Sequence, residues 1–98
     1  MNISSKLVSK SKKQTIFNSI INGKNIRITI VNGIDITDDF SLDDDAKIHV
    51  LMFNSRMHIR QEINEPIMEC SNGDVIVMLC ADRKSYNYAV GKFESNSI

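Results

Sequence analysis

The chain has no tryptophan and few aromatic residues, which make up 6% of its 98 residues. Modules that bind single-stranded nucleic acids stack bases on aromatic side chains that alternate with basic ones along a pair of strands. Here Tyr86 and Tyr88 have few cations near them in sequence, and the net charge of the chain is zero. The composition therefore argues against direct binding of nucleic acid.

Long apolar runs are also missing. No stretch of 18 consecutive apolar residues occurs, and residues 1–14 are rich in Ser and Lys without an apolar signal segment. Because a membrane-spanning helix needs about 20 apolar residues, the sequence predicts neither membrane insertion nor classical secretion. A hydrophobic content of 42% with 24% charged residues is typical of a soluble globular domain. We expect a cytoplasmic protein.

Cysteine is scarce, and the two residues present, Cys70 and Cys80, lack the CxxC spacing of redox motifs. A turn at Asn72-Gly73 would place the two thiols on opposite faces of a sheet, so a disulfide is not expected. Residues 35–47 also lack the ligand spacing of a calcium-binding loop. The sequence therefore predicts reduced thiols, no cofactor and no metal site.

Asparagine followed by glycine, in contrast, is frequent. Three of the four glycines follow an asparagine, at Asn22-Gly23, Asn32-Gly33 and Asn72-Gly73, and each pair lies between runs rich in β-branched or large apolar residues. A type I′ turn needs positive φ at both central residues, which Asn tolerates and Gly adopts without strain. The chain is therefore predicted to consist mostly of β-hairpins.

The predicted fold is all-β, an antiparallel β-sandwich or half-open barrel of about seven to eight short strands with at most one short helix. Residues 75–80 are apolar without interruption, which predicts a central strand, and residues 86–93 are predicted to form the last strand. The predicted organisation is a flexible basic N-terminal tail over residues 1–13, a single β domain over residues 14–94 and a frayed C-terminus over residues 95–98. A loosely attached first strand is the alternative for residues 1–13.

The zero net charge conceals a segregation along the chain. Residues 1–34 carry six basic residues and no acid, whereas residues 35–45 carry six aspartates and no base. Clustered carboxylates raise the local potential and steer a basic protein into encounter. The predicted partner-binding residues are Asp38, Asp39, Phe40, Asp43, Asp44 and Asp45. The alternatives are a solvated loop with one helical turn begun by Ser41, and a Phe40 side chain that belongs to the core.

The two histidines are the candidates for catalysis. If Asn54 and Ser55 close a hairpin, His49 and His58 become diagonal neighbours on one sheet face, roughly 7–8 Å apart. Two histidines near cations could cleave RNA by general acid–base chemistry. A polar outer sheet face explains the same residues more simply, because no substrate pocket is evident. No catalytic residue is assigned, and the protein is not predicted to be an enzyme.

In size, in its bias towards Ile, Asn, Ser and Lys, and in its acidic block, the whole chain resembles the immunity proteins that accompany bacterial toxins, including those of contact-dependent growth inhibition systems. The resemblance implies a cytosolic inhibitor that binds one cognate toxin and blocks its active site. A nuclease must present cations to phosphate, so clustered carboxylates suit a basic nuclease such as an RNase. The alternatives are a small two-histidine RNA-cleaving enzyme and a structural or assembly subunit that binds by strand addition.

Overall fold

A computed structural model describes residues 2–35, 40 and 45–96, and these residues form a mixed α/β domain. Its elements in chain order are β1 (Ile3–Lys10), β2 (Gln14–Ile21), β3 (Lys24–Asn32), β4 (Ile48–Phe53), α1 (Ile59–Glu69), β5 (Val75–Cys80) and α2 (Arg83–Glu94). The prediction of an all-β sandwich or half-open barrel with at most one short helix is therefore wrong.

The five strands form one sheet in the order β1-β2-β3-β5-β4. The first three strands form an antiparallel meander, whereas β5 pairs in parallel with β3 on one side and with β4 on the other. The predicted turn at Asn22-Gly23 is confirmed, since its φ angles are 51° and 81°, the positive values that a type I′ turn requires. The central position predicted for residues 75–80 is also confirmed, because β5 is flanked on both sides and fully buried.

Both helices pack on the same face of the sheet. Helix α1 contributes Ile59, Ile63 and Ile67, spaced one turn apart, and α2 contributes a comparable apolar stripe at Tyr86, Ala89, Val90 and Phe93. The strand residues of this core are Phe17, Ile21, Ile26, Ile28, Ile30, Phe53, Ile76, Met78 and Cys80. The opposite face carries a smaller cluster of Val75, Val77 and Leu79, against which Phe40 packs.

The two connections between parallel strands have described residues on opposite faces of the sheet. The connection from β4 to β5 contains α1 on the helical face, and the connection from β3 to β4 contains Phe40 on the other face. They also run in opposite directions across the sheet, since β5 lies between β3 and β4.

The segments predicted as the last hairpin and strand form helices or their connections instead. Asn72-Gly73 lies in the turn from α1 to β5, and residues 86–93 lie in α2. Helix α2 begins at Asp82, whose carboxylate accepts a hydrogen bond of 2.8 Å from the backbone N–H of Ser85, and such a cap fixes a helix start. Pro66 lies inside α1.

The N-terminal residues predicted as a tail contain β1, which pairs with β2 along most of its length. The hydroxyl oxygens of Ser5 and Ser19 lie 2.9 Å apart in the buried layer between these strands and α2. Lys10 and Glu94 form an exposed ion pair at 3.2 Å that joins β1 to α2. Residues 97–98 of the predicted frayed C-terminus lie outside the described residues.

Candidate functional site

Strand β4 forms one edge of the sheet, and no described strand pairs with its outer side. The backbone N–H of Val75 donates to the carbonyl of Lys47, and the N–H of Ala81 donates to the carbonyl of Phe53. Backbone groups alternate in direction along a strand, so the residues between these two points alternate between facing β5 and facing outward. The N–H and C=O groups of Ile48, Val50 and Met52 therefore point away from the sheet.

The side chains of the same three residues lie on the face without helices. Ile48, Val50 and Met52 are 40%, 50% and 51% exposed, although they stand beside the fully buried Val75 and Val77 of β5. The outer edge of β4 thus combines unpaired backbone groups with exposed apolar side chains, which are the two features that a strand-pairing partner uses.

An acidic groove follows β4 on the helical side. Its lining residues are His49, Val50, Gln61, Glu62, Glu65, Pro66 and Glu69. Glu62, Glu65 and Glu69 share one flank of α1, because positions three and four apart are neighbours on a helix. No described residue forms a salt bridge with any of the three, and no Lys or Arg lines the groove. The groove is therefore lined by three carboxylates with no Lys or Arg among them.

His49 is fixed where β4 begins. Its Nε2 lies 3.3 Å from Oδ2 of the buried Asp74. The same oxygen accepts the backbone N–H of Ser71 at 3.0 Å, and Oδ1 of Asp74 accepts the backbone N–H of Lys47 at 3.2 Å. Burial alone would raise the pKa of Asp74, but these N–H groups and His49 outweigh it and hold the pKa below its usual value. Asp74 thus fastens the start of β4 to the turn that precedes β5.

Cys70 lies beside this pair, at the C-terminal end of α1. Both cysteines of the chain are free and buried. Burial, with the charge of Asp74 adding to it, raises the pKa of Cys70 to about 11, so the thiol is neutral at physiological pH. A neutral thiol is a poor nucleophile, and the arrangement of Cys70, His49 and Asp74 therefore does not make an activated cysteine.

Most of the predicted acidic surface cannot be placed. Asp38, Asp39, Asp43 and Asp44 lie outside the described residues. Phe40 is half-buried and packs against the cluster around Val77. Asp45 is exposed and lies three residues before β4, so the acidic block leads directly into the edge strand.

The hairpin that would pair the two histidines does not form. His49 is the second residue of β4, whereas His58 follows that strand and is the N-terminal cap of α1. Residues 54–58 lead into a helix rather than a return strand, so the two rings lie near opposite ends of β4. His58 instead lines a separate cleft that also includes Arg60, Tyr88 and Lys92.

The sequence prediction missed the three glutamates of α1 as site residues. Their position depends on the helix, and the helix has a clear signal in the four-residue spacing of Ile59, Ile63 and Ile67. That spacing places Glu62, Glu65 and Glu69 beside the buried stripe and not within it.

Comparisons with protein-family models, with curated proteins and with solved structures find no match to this chain. No helix in the described part of the chain is long and apolar enough to cross a membrane. The features that support a function are therefore the outer edge of β4 and the acidic groove beside it.

Proposed function

We propose that this protein is a stoichiometric inhibitor of the immunity-protein kind, which binds a basic nuclease toxin and covers its active site. The observation that supports the proposal is the edge strand β4, where outward backbone groups, exposed apolar side chains and an acidic groove lie together. Each of the three features is a recognition element, and their combination on one strand defines a docking surface for a basic protein.

Charge gives the proposal its target class. A nuclease site presents Lys and Arg side chains to phosphate, and carboxylates form strong, often bidentate, hydrogen bonds with Arg. Glu62, Glu65 and Glu69 supply carboxylates on one side of β4. The acidic block precedes β4 in sequence, so the proposed contact surface also includes Asp38, Asp39, Phe40, Asp43, Asp44 and Asp45.

Backbone geometry gives the proposal its binding mode. A strand of the partner would pair with the outward N–H and C=O groups of Ile48, Val50 and Met52 and would cover their side chains. The assembly-subunit alternative uses the same edge but requires no basic partner, so the salt dependence of binding separates the two. The RNA-cleaving alternative loses its support, because His49 and His58 do not form a pair.

The test purifies the product of any toxin gene found beside the gene for this protein, and a neighbourhood of metabolic genes alone would contradict the proposal. The variant Glu62→Gln/Glu65→Gln/Glu69→Gln should associate with the toxin more slowly, and its association rate should depend less on salt. If one of these carboxylates is buried against a toxin Arg, its removal should also cost about 2–5 kcal/mol of binding free energy. Glu94→Gln is the matched control, because Glu94 pairs with Lys10 at the opposite edge of the sheet. A second variant replaces the aspartates of the block with asparagine: Asp38, Asp39, Asp43, Asp44 and Asp45.

Two substitutions at Val50 test the strand-pairing mode. Val50→Pro removes the outward N–H and leaves the bonds to β5 intact, so it should weaken binding by about tenfold or more, the cost of one lost hydrogen bond. Val50→Thr keeps the N–H and should bind more tightly than Val50→Pro. Absence of nuclease inhibition, or wild-type affinity in the Pro and triple Gln variants when thermal unfolding shows them folded, would contradict the proposal.

A further inference from the structure

Three potential metal ligands from three different elements meet beneath the start of β4. His49 belongs to β4, Cys70 follows the last residue of α1, and Asp74 immediately precedes β5. The ligand atoms of these residues all lie within 4.8 Å of one another, and the His49 Nε2 and Asp74 Oδ2 atoms are 3.3 Å apart.

These spacings suit a tetrahedral zinc ion. With Zn–N and Zn–O bonds of about 2.0–2.1 Å, two such ligand atoms stand about 3.3–3.4 Å apart, and a sulfur atom bound at about 2.3 Å stands about 3.5–3.6 Å from either. The distance between His49 and Asp74 already has this value. The Cys70 sulfur lies within 4.8 Å of one imidazole nitrogen of His49 and one carboxylate oxygen of Asp74, so it needs to approach these atoms by at most about 1.3 Å.

We propose that His49, Cys70 and Asp74 bind one Zn²⁺ or a similar divalent transition-metal ion, with water in the fourth position. The donor set of one thiolate, one imidazole and one carboxylate selects such ions over Ca²⁺ and Mg²⁺, which prefer oxygen ligands. Three protein ligands with one position left to water is the arrangement of zinc sites that keep an exchangeable ligand. The site is independent of the proposed inhibition, and it contradicts the absence of metal ligands expected from the sequence.

The surroundings of the three residues favour a bound cation. The backbone N–H groups of Ser71 and Lys47 donate to Asp74 and orient its carboxylate, as outer-shell hydrogen bonds do in metal sites. His49 also lines the groove that contains Glu62, Glu65 and Glu69, whose negative charge raises the local cation concentration.

The side chains of His49 and Asp74 are mostly buried, but both keep some contact with solvent. The His49 side chain is 17% exposed and that of Asp74 is 5% exposed, so an ion can enter past the imidazole. Lys24 is a competing positive charge near Cys70, and its ammonium group donates to the carbonyl of Ile67 at 2.8 Å.

A bound ion would join the start of β4, the end of α1 and the start of β5. Titration of the purified full chain with Co²⁺, a spectroscopic substitute for Zn²⁺, should give one ion per chain and a thiolate-to-cobalt charge-transfer band that Zn²⁺ abolishes. Zinc at about 100 times its dissociation constant should raise Tm by about 10 °C or more.

Matched variants locate the site. Cys70→Ala and His49→Gln should each lower metal affinity by at least about 100-fold, more than the loss of an outer-shell partner costs. Cys80→Ala and His58→Gln are the controls and should retain wild-type affinity. Glu69→Gln should also retain the band, because the groove carboxylates are not ligands in this arrangement.

X-ray absorption of zinc in the wild-type protein and in Cys80→Ala provides a readout that does not depend on whether the Cys70 variant folds. One sulfur at about 2.3 Å together with nitrogen or oxygen ligands at about 2.0–2.1 Å in both proteins supports the site. A wild-type protein with no charge-transfer band, a zinc shell without sulfur, or a band that persists in Cys70→Ala would overturn it.

Discussion

The two edges of the sheet differ in the features that prevent their unpaired backbone groups from pairing with another strand. At the β1 edge, Lys6 and Lys10 lie along the strand, and a bulge interrupts the register between Leu7 and Ser9. At the β4 edge there is no Lys, Arg, Asp or Glu within the strand, and six consecutive residues stay in register with β5. Lysines and bulges are common means of preventing edge-to-edge association. The contrast indicates that β1 is protected against pairing and that β4 is open to it.

The largest expected effect is on the free energy of unfolding, when a valine of β4 or of β5 is replaced by alanine. Val50 and Val77 are registered partners on the same face, but Val50 is 50% exposed and Val77 is 0% exposed. Val77→Ala should lower the free energy of unfolding by about 1–3 kcal/mol through lost burial and a cavity. Val50→Ala should change it by no more than about 0.5 kcal/mol.

Chemical denaturation monitored by circular dichroism measures both valine variants under the same conditions. An equal loss of stability in the two variants would show that another part of the molecule covers β4. The edge would then be unable to serve as the docking surface.

A smaller effect is expected at the protected edge, where β1 is joined to β2 by the buried hydroxyl pair of Ser5 and Ser19. Ser19→Ala leaves the Ser5 hydroxyl buried without its partner and should cost about 1–2 kcal/mol of stability. The double variant Ser5→Ala/Ser19→Ala removes both polar groups and should lie closer to wild type than the single variant. Urea unfolding of the four proteins completes a double-mutant cycle, and additive losses would argue against the hydroxyl pair.

The smallest effect is local and depends on pH. Asp74 holds the start of β4 and has a lowered pKa in the folded protein, so the unfolded state binds more protons in the range between the folded pKa and the unfolded value of about 3.9. The stabilisation that the Asp74 carboxylate gives is therefore complete above about pH 4, and it is lost as the pH falls through the pKa of Asp74 in the folded protein. Hydrogen exchange, corrected for its intrinsic pH dependence, should show β4 losing protection before β1.

Asp74→Asn is the control for this acid-induced loosening. Asparagine keeps the shape of the side chain and cannot become a carboxylate, so the pH step in β4 protection should disappear. Identical pH profiles in the wild type and the variant would assign the loosening to other groups.

The sequence predicted the parts of the fold that depend on neighbouring residues. The β2–β3 hairpin follows from Asn22-Gly23 because a two-residue turn fixes the register of its own strands. The prediction of a strand over residues 86–93 is wrong, and the helical spacing of Tyr86, Ala89, Val90 and Phe93 is the signal for α2. Asp82, three residues before Ser85, was the overlooked signal for its start.

The candidate site could be predicted only in its composition. The acidic block is visible in the sequence, but the exposure of β4 follows from the strand order, which depends on parallel pairing between distant segments. The same is true of His49, which meets Cys70 and Asp74 only because α1 returns the chain to the start of β4. No short-range pattern contains that information.

The position of β5 has a consequence for synthesis of the chain on the ribosome. The first three strands can pair as they emerge, but β4 has no neighbour until residues 75–80 are translated and inserted between β3 and β4. During that interval the apolar residues of β4 are available to chaperones or to nascent chains on adjacent ribosomes. The edge strand is thus the last part of the sheet to acquire a partner, and a pause in translation before residue 75 would prolong its exposure.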